Sequence, residues 1–344
     1  MSERDNHCRY RGQMGHYEVW YITTNHSASQ TGYWIRYTLE SPLPGRGEPY
    51  AQLWFASFDA RDPGRNVAIN RKLPISSLRD QTDPFAIALD GSEFDNQSAR
   101  GSLRGGGHEA SWDLSWTPAD RTHHHLPAVM YRRDGLGETT VLSPNLNVAL
   151  SGTITCDGRT VELDGESGGQ THLWGQKHAH SWAWGHCNGF DAVSGDRPTD
   201  RPAFEILSVQ LKRAGHLSPQ LTIFALYLDG KIYRFNDFRH TLVTRARYRG
   251  SRFWFSGSGL RTRIEGEFSC RPADMVVATY VDPDGELSYC ANTEVADLRL
   301  AVYKRRGVNR WIEHTRLLSR HRAHFEIGGR ERDPAVAANH VTLD

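Results

Sequence analysis

Two-residue turns constrain this chain more than any other feature. Asp-Gly or Asn-Gly pairs recur at Asp90-Gly91, Asp134-Gly135, Asp157-Gly158, Asp164-Gly165, Asn188-Gly189, Asp229-Gly230 and Asp284-Gly285. Both residues of such a pair tolerate positive φ, which tight hairpin turns require. Between them lie short runs rich in β-branched and aromatic residues: YEVWYIT at 17–23, YWIRYTL at 33–39, YAQLWFASF at 50–58, LTIFALYL at 221–228, MVVATYV at 275–281 and VADLRLAVY at 295–303. Strands joined by short turns form antiparallel meanders, and so a sandwich or barrel. Helical periodicity is poor, with at most a short helix at 74–80 (PISSLRD). The expected class is all-β.

A chain of 344 residues is long enough for two domains of ordinary size. The stretch 191–203 (DAVSGDRPTDRPA) carries no periodic pattern and reads as a linker. This gives a tail at 1–15, a first β domain at 16–190, and a second at 204–344 that ends in a polar docking segment from 328. Each half suits a lipocalin-sized antiparallel barrel, two in tandem. The 41 basic and 40 acidic residues nearly cancel, and no basic stretch is interleaved with aromatics, which argues against a nucleic-acid partner. No apolar run approaches the roughly 18 residues of a membrane helix. The opening MSERDNHCRYRGQMGH lacks the apolar core of a signal peptide, so a cytoplasmic location is expected. Five cysteines at 8, 156, 187, 270 and 290, with no CxxC pair, read as reduced thiols. Oligomeric state has no signature in the sequence.

The densest chemistry lies at 172–188, HLWGQKHAHSWAWGHCN, with four His and three Trp. If 178–186 is a strand, its period of two puts His178, His180, Trp182, Trp184 and His186 on one face. Ala179, Ser181, Ala183 and Gly185 then form the other. Such a division suits a cavity wall, with the small face packed on another element. Packed core aromatics are the alternative. The His cluster has no Asp, Glu or Cys partner at a diagnostic spacing, so no metal is expected. His123-His124-His125 reads as a solvated loop triplet. Acids on apolar strand faces are the second signal. Glu205 shares a face with Leu207, Val209 and Leu211; Asn292 and Glu294 with Cys290, Ala296, Leu298 and Leu300; Glu18 with Trp20 and Ile22. Burial disfavours the carboxylate, so such a group either stays protonated and can act as a general acid or pairs with an arginine such as Arg36. There is no GxSxG elbow, phosphate loop, dinucleotide fingerprint or HExxH, so any catalysis is expected to proceed without a cofactor.

The EVWY opening strand, WDLSW at 112–116, and LSGTITCDGRTVELDGESGGQTHLWG leading into HSWAWGHC together form a pattern. It resembles the lipocalin-like superfamily of carotenoid 1,2-hydratase (hydroxyneurosporene synthase), tocopherol cyclase and the fungal Diels–Alderases, from about Tyr17 to Phe325. The resemblance implies two lipocalin-like barrels and cofactor-independent hydration, ring closure or cycloaddition of hydrophobic isoprenoid- or polyketide-like molecules. In the hydratase branch a His-x-Trp and a Tyr-x-Asp pair are associated with function. His180-Ser181-Trp182 matches the first and Tyr227-Leu228-Asp229 the second, although Asp229 also opens an Asp-Gly turn. The expected catalytic set is therefore His180, Glu205, Tyr227 and Asp229. The expected ligand contacts are Trp174, His178, Trp182, Trp184, His186, Asn292 and Glu294. The functional expectation is a lyase or isomerase; the alternative is a non-catalytic carrier of a lipophilic ligand, since barrels of this size hold one small molecule.

Overall fold

The structure is a computed structural model that describes residues 3–131, 138–194, 200–213, 215–307 and 310–336. Four of the turn pairs join neighbouring strands. Leu89 pairs with Ser92 across Asp90-Gly91, Cys156 with Arg159 across Asp157-Gly158, and Leu228 with Lys231 across Asp229-Gly230. Val281 pairs with Leu287 around the loop that holds Asp284-Gly285. Asp90, Asp157 and Asp229 sit at φ 51°, 47° and 54°, the conformation that makes these turns tight. Asp164-Gly165 instead falls inside the long strand Arg159–Gly175, and Asn188-Gly189 follows the strand Ser181–Cys187 without turning a hairpin. Asp134-Gly135 lies outside the described residues.

The strands form two large antiparallel sheets, each curled around its own core in a lipocalin-like tandem. In the twelve-stranded first sheet, Val67–Pro74, Tyr50–Asp59, Thr31–Ser41 and His16–His26 run side by side. Arg159–Gly175 and Thr139–Cys156 come next, followed by the shorter strands between Leu78 and Trp116. Its core includes Trp20, Ile22, Tyr37, Phe55, Phe94 and Trp112. The eleven-stranded second sheet contains Ser181–Cys187, Ala203–Gln210, Leu221–Leu228, Leu287–Arg306 and Arg310–Gly329 among others. Rings of Phe204, Phe224, Phe253, Phe255, Phe268 and Phe325 stack through its interior.

A third apolar cluster joins the two sheets, with Trp34, Trp54 and Phe58 from the first against Trp182, Val276, Tyr280 and Val295 from the second. This contact explains why Thr31–Ser41 is buried along nearly its whole length. Tyr33, Ile35 and Tyr37 face the first core, while Trp34 faces the seam. A strand covered on both sides loses the in/out alternation that marks a half-exposed one.

Three expectations need correction. The first sheet ends at Gly175 and the second begins at Ser181, so the change of sheet falls at 176–180, ahead of the 191–203 stretch. Within that stretch Ala192–Ser194 is a strand paired with Leu318–Arg316, and 195–199 lie outside the described residues. The expected helix at 74–80 is a 3-10 turn, Ile75–Ser77, followed by the strand Leu78–Thr82 paired with Phe85–Leu89. So short a segment cannot offset the cost of nucleating an α-helix. Finally, Gly328 and Gly329 close a strand and Val336 is buried in the second core, while 337–344 lie outside the described residues.

Candidate active site at the seam of the two sheets

The strand Ser181–Cys187 does what its small/large alternation suggests. Ala183 and Cys187 enter the second core, and a Cβ on Gly185 would stand 2.6 Å from the Phe268 ring. Trp182 and Trp184 point the other way, into a cavity of about 340 Å³ between the sheets. The first sheet contributes Tyr17, Val19, Tyr21, Trp34, Arg36 and Val141 to its wall. The second adds Leu207, Val209, Leu221, Ile223, Tyr280 and Glu326. Leu126, Met130 and Phe238 are among those from connecting segments. A mostly apolar, preformed pocket with a few placed polar groups is the usual form of a small-molecule site.

His178 also lines this wall. It precedes the strand and is clamped among rings, with centroids 4.7 Å from Tyr17, 5.2 Å from Tyr280 and 5.5 Å from Trp182. Its Nδ1–H donates to Asp282 Oδ1 at 2.5 Å, and its backbone N–H donates to the same oxygen at 3.1 Å. Arg330 Nη1 lies 2.7 Å from the second Asp282 oxygen. Burial pushes the Asp282 pKa up, but His178 and Arg330 outweigh it and the net displacement is downward, so the group stays a carboxylate. This bond sets the tautomer in which Nε2 carries the lone pair, and Nε2 has no protein hydrogen-bond partner among the described residues. On the same wall Glu326 accepts from Trp182 Nε1 at 2.8 Å and from Cys290 Sγ and Asn292 Nδ2, each at 3.4 Å.

Glu205 lies one layer behind. Its strand pairs with Ser181–Cys187 so that His186 opposes Glu205 and Trp184 opposes Leu207. Glu205 accepts from Trp184 Nε1 at 2.5 Å and His186 Nδ1 at 2.9 Å, and His125 Nδ1 lies 3.4 Å away. Burial raises its pKa, opposed by His186 and Trp184. From His125 a string of hydroxyls, Ser143 and Thr171, leads to Tyr21 on the cavity wall. His123 and His125 are therefore buried, and the solvated-triplet reading holds for His124 alone.

The strand begins at Ser181, so parity does not extend back to His178 and His180. His180 does not share the cavity with Trp182; it borders a separate polar depression with Lys212, Glu286 and Arg330. Neither His180 nor Glu205 is among the residues that line the seam cavity. Tyr227 OH shares a 2.8 Å hydrogen bond with buried His123. Asp229 sits in its turn, where the amides of Asp229 and Gly230 are bonded to Asp200, and neither residue lines the cavity. Trp174 packs beside His172 and under the Arg9 guanidinium, 4.9 Å from its ring, also away from the cavity. Asn292 and Glu294 belong to the seam behind the wall, and His186 holds Glu205. Sequence reading missed Arg36 as a cavity residue, Tyr17, Tyr280, Asp282 and Glu326; the EVWY and MVVATYV runs marked some as strand residues but not as site residues. Among the described residues no group of three His, Cys, Asp or Glu is arranged to hold a metal ion. No helix among the described residues is long and apolar enough to cross a membrane.

Comparison with known proteins agrees with this architecture. An uncharacterised protein of Mycobacterium tuberculosis, found in strains CDC 1551 and H37Rv, is 28% identical over 308 residues, covering 86% of this chain and 83% of the relative. The crystal structure of an AttH-type protein from Nitrosomonas europaea matches with TM-score 0.57 at 12% identity, covering 95% of this chain and 96% of that one. Kievitone hydratase from Nectria haematococca matches with TM-score 0.52 at 7% identity, covering 90% and 88%. At such identities these two structures speak to the fold. The tocopherol cyclase-like family model matches residues 90–329, from the middle of the first sheet to the end of the second. This chain belongs to the tocopherol cyclase-like family, a membership that supports a lyase-type enzyme in general terms.

Proposed function

We propose that the protein is a cofactor-independent lyase or isomerase of hydratase or cyclase type, acting on a hydrophobic isoprenoid- or polyketide-like molecule held in the seam cavity. The observation that carries this reading is the oriented His178–Asp282 pair on the wall of a mostly apolar pocket. His178 Nε2 takes the proton from an attacking oxygen, either water or a hydroxyl of the substrate. The oxygen bonds to one alkene carbon, and Nε2 returns the proton to its neighbour. Addition of water is hydration, and addition of an internal hydroxyl is ring closure. Asp282 stabilises the imidazolium in between, and the Tyr17, Trp182 and Tyr280 rings hold the apolar substrate beside it. General acid–base help of this kind is worth about 10²–10⁴ in rate. Glu205 supports the site by fixing the Trp184 ring.

The test incubates the protein with a lipid extract of its host in H2(18)O. A hydratase yields a product carrying one 18O, and a cyclase yields an isomer of unchanged mass. His178→Asn and Asp282→Asn should each lower product formation by about 10²–10⁴ while bound lipid is retained. Bound lipid without any conversion by the wild type would instead favour the carrier.

A further inference from the structure

Arg36 is 5% exposed and projects from the strand Thr31–Ser41 onto the cavity wall. Its Nε donates to Thr38 Oγ1 at 2.9 Å. Among the described residues no carboxylate comes within 4 Å of its guanidinium, and Nη1 and Nη2 have no hydrogen-bond partner. The group is surrounded by rings instead, its Cζ 4.2 Å from the Tyr280 centroid, 5.5 Å from Trp54 and 5.6 Å from Trp34. Glu40, on the same face of the strand, makes no ion pair with it; burial raises the Glu40 pKa above the ordinary carboxylate value, while Arg36 acts to lower it. Glu326, also on the cavity wall, makes no ion pair with Arg36 and accepts from Trp182, Cys290 and Asn292.

Arginine keeps its proton at any pH a protein tolerates, so the usual escape of a buried charge is closed. Ring faces offset part of the desolvation cost. They leave unused the two-pronged N–H edge that suits a planar anion. The other cavity cation, Lys177, is engaged by Asp284 and Glu286. One forked monocation matches a singly charged planar group, whereas a diphosphate would call for several cations.

We propose that Arg36 anchors a carboxylate, so that the ligand is an amphiphilic acid whose apolar body lies among Tyr17, Trp182, Trp184, Leu207 and Ile223. This rests on the seam cavity being the ligand site. Docking the acid group at Arg36 fixes which part of the apolar body reaches His178, because both side chains pack on Tyr280.

The probes are farnesoic acid, its methyl ester and farnesol, titrated into the full chain and followed by calorimetry and tryptophan quenching. Wild type should bind farnesoate at least about 10-fold more tightly than the ester or the alcohol, the effect of one charge-assisted hydrogen-bonded pair. Arg36→Met should abolish that preference by weakening the acid alone, and Arg36→Lys, which keeps the charge without the fork, should retain part of it. Equal binding of all three probes by wild type, a comparison that needs no variant, would overturn the anchor and leave the cavity as an apolar site. A preference that survives in Arg36→Met would also overturn it. If none of the three binds, both the anchor and the cavity reading fall.

Discussion

Glu294 brings a carboxyl group into the seam without a hydrogen bond to either oxygen. Its Oε2 lies 3.5 Å from His324 Nδ1, but that nitrogen is unsatisfied too. Burial, with the Glu326 charge adding to it, raises the Glu294 pKa well above its ordinary value of 4.5. The folded protein thus holds a proton that the unfolded chain releases from about pH 4.5 upward, and stability falls as pH rises through that window. Glu294→Gln should stabilise the fold by about 1–3 kcal/mol at pH 8 and change little at pH 4, as read from urea unfolding at the two values. Glu18 has the opposite sign. Burial pushes its pKa up, but hydrogen bonds from His16, His172 and the Arg9 amide prevail and bring it down to about 2. Its contribution is present above about pH 4.5 and is lost as pH falls toward 2, so Glu18→Gln should flatten the acid limb of the stability profile. Glu18 is therefore an ionised anchor for the N-terminal segment, and of the three acids first considered as proton donors only Glu205 and Glu294 have raised pKa values.

The strand Ser181–Cys187 shows how far sequence reasoning reaches. Its alternation correctly assigns Trp182 and Trp184 to one face and Ala183 to the other, because each face packs against a different sheet layer. Two close approaches hold it in place. A Cβ on Gly185 would meet Phe268 at 2.6 Å, and one on Gly328 would meet Trp182 at 2.0 Å. Gly185→Ala and Gly328→Ala should each cost about 1–3 kcal/mol. Only the second should displace the Trp182 ring and alter near-UV circular dichroism from the cavity. The turn pairs that became hairpins were legible for a local reason: Asp-Gly geometry needs only the two residues themselves. The site was much less legible. Asp282 follows His178 by 104 positions, and Arg36 meets Tyr280 across the seam, so no window of sequence contains both partners. His180 was favoured over His178 because His180-Ser181-Trp182 matched a His-x-Trp pair, and the parity that put both on one face was extended back beyond Ser181, where the chain is still crossing between sheets. His123 and His125 carry no apolar pattern of their own, and their burial follows from the Tyr227, Ser143 and Glu205 partners that enclose them.

At the scale of the whole molecule the two sheets depend on each other. The seam is closed by backbone as well as side chains: Asn25 Nδ2 donates to the Glu294 carbonyl at 2.7 Å, and a Cβ on Gly32 would stand 2.5 Å from Glu294 Cβ. A fragment ending at Gly175 would uncover Trp34, Trp54 and Phe58, and should bind a hydrophobic dye that the full chain excludes. The intact protein should unfold in one transition, with tryptophan fluorescence and far-UV circular dichroism changing together. The cavity belongs to neither barrel, and its walls exist only while both halves are folded and joined. An occupant that fills it is therefore a staple across the seam, and it adds RT ln(1 + [L]/Kd), about 2.7 kcal/mol at a hundredfold excess over Kd. Melting temperature then becomes a gauge of occupancy, and the natural ligand can be sought among a library of compounds by heat alone, before any reaction has been identified.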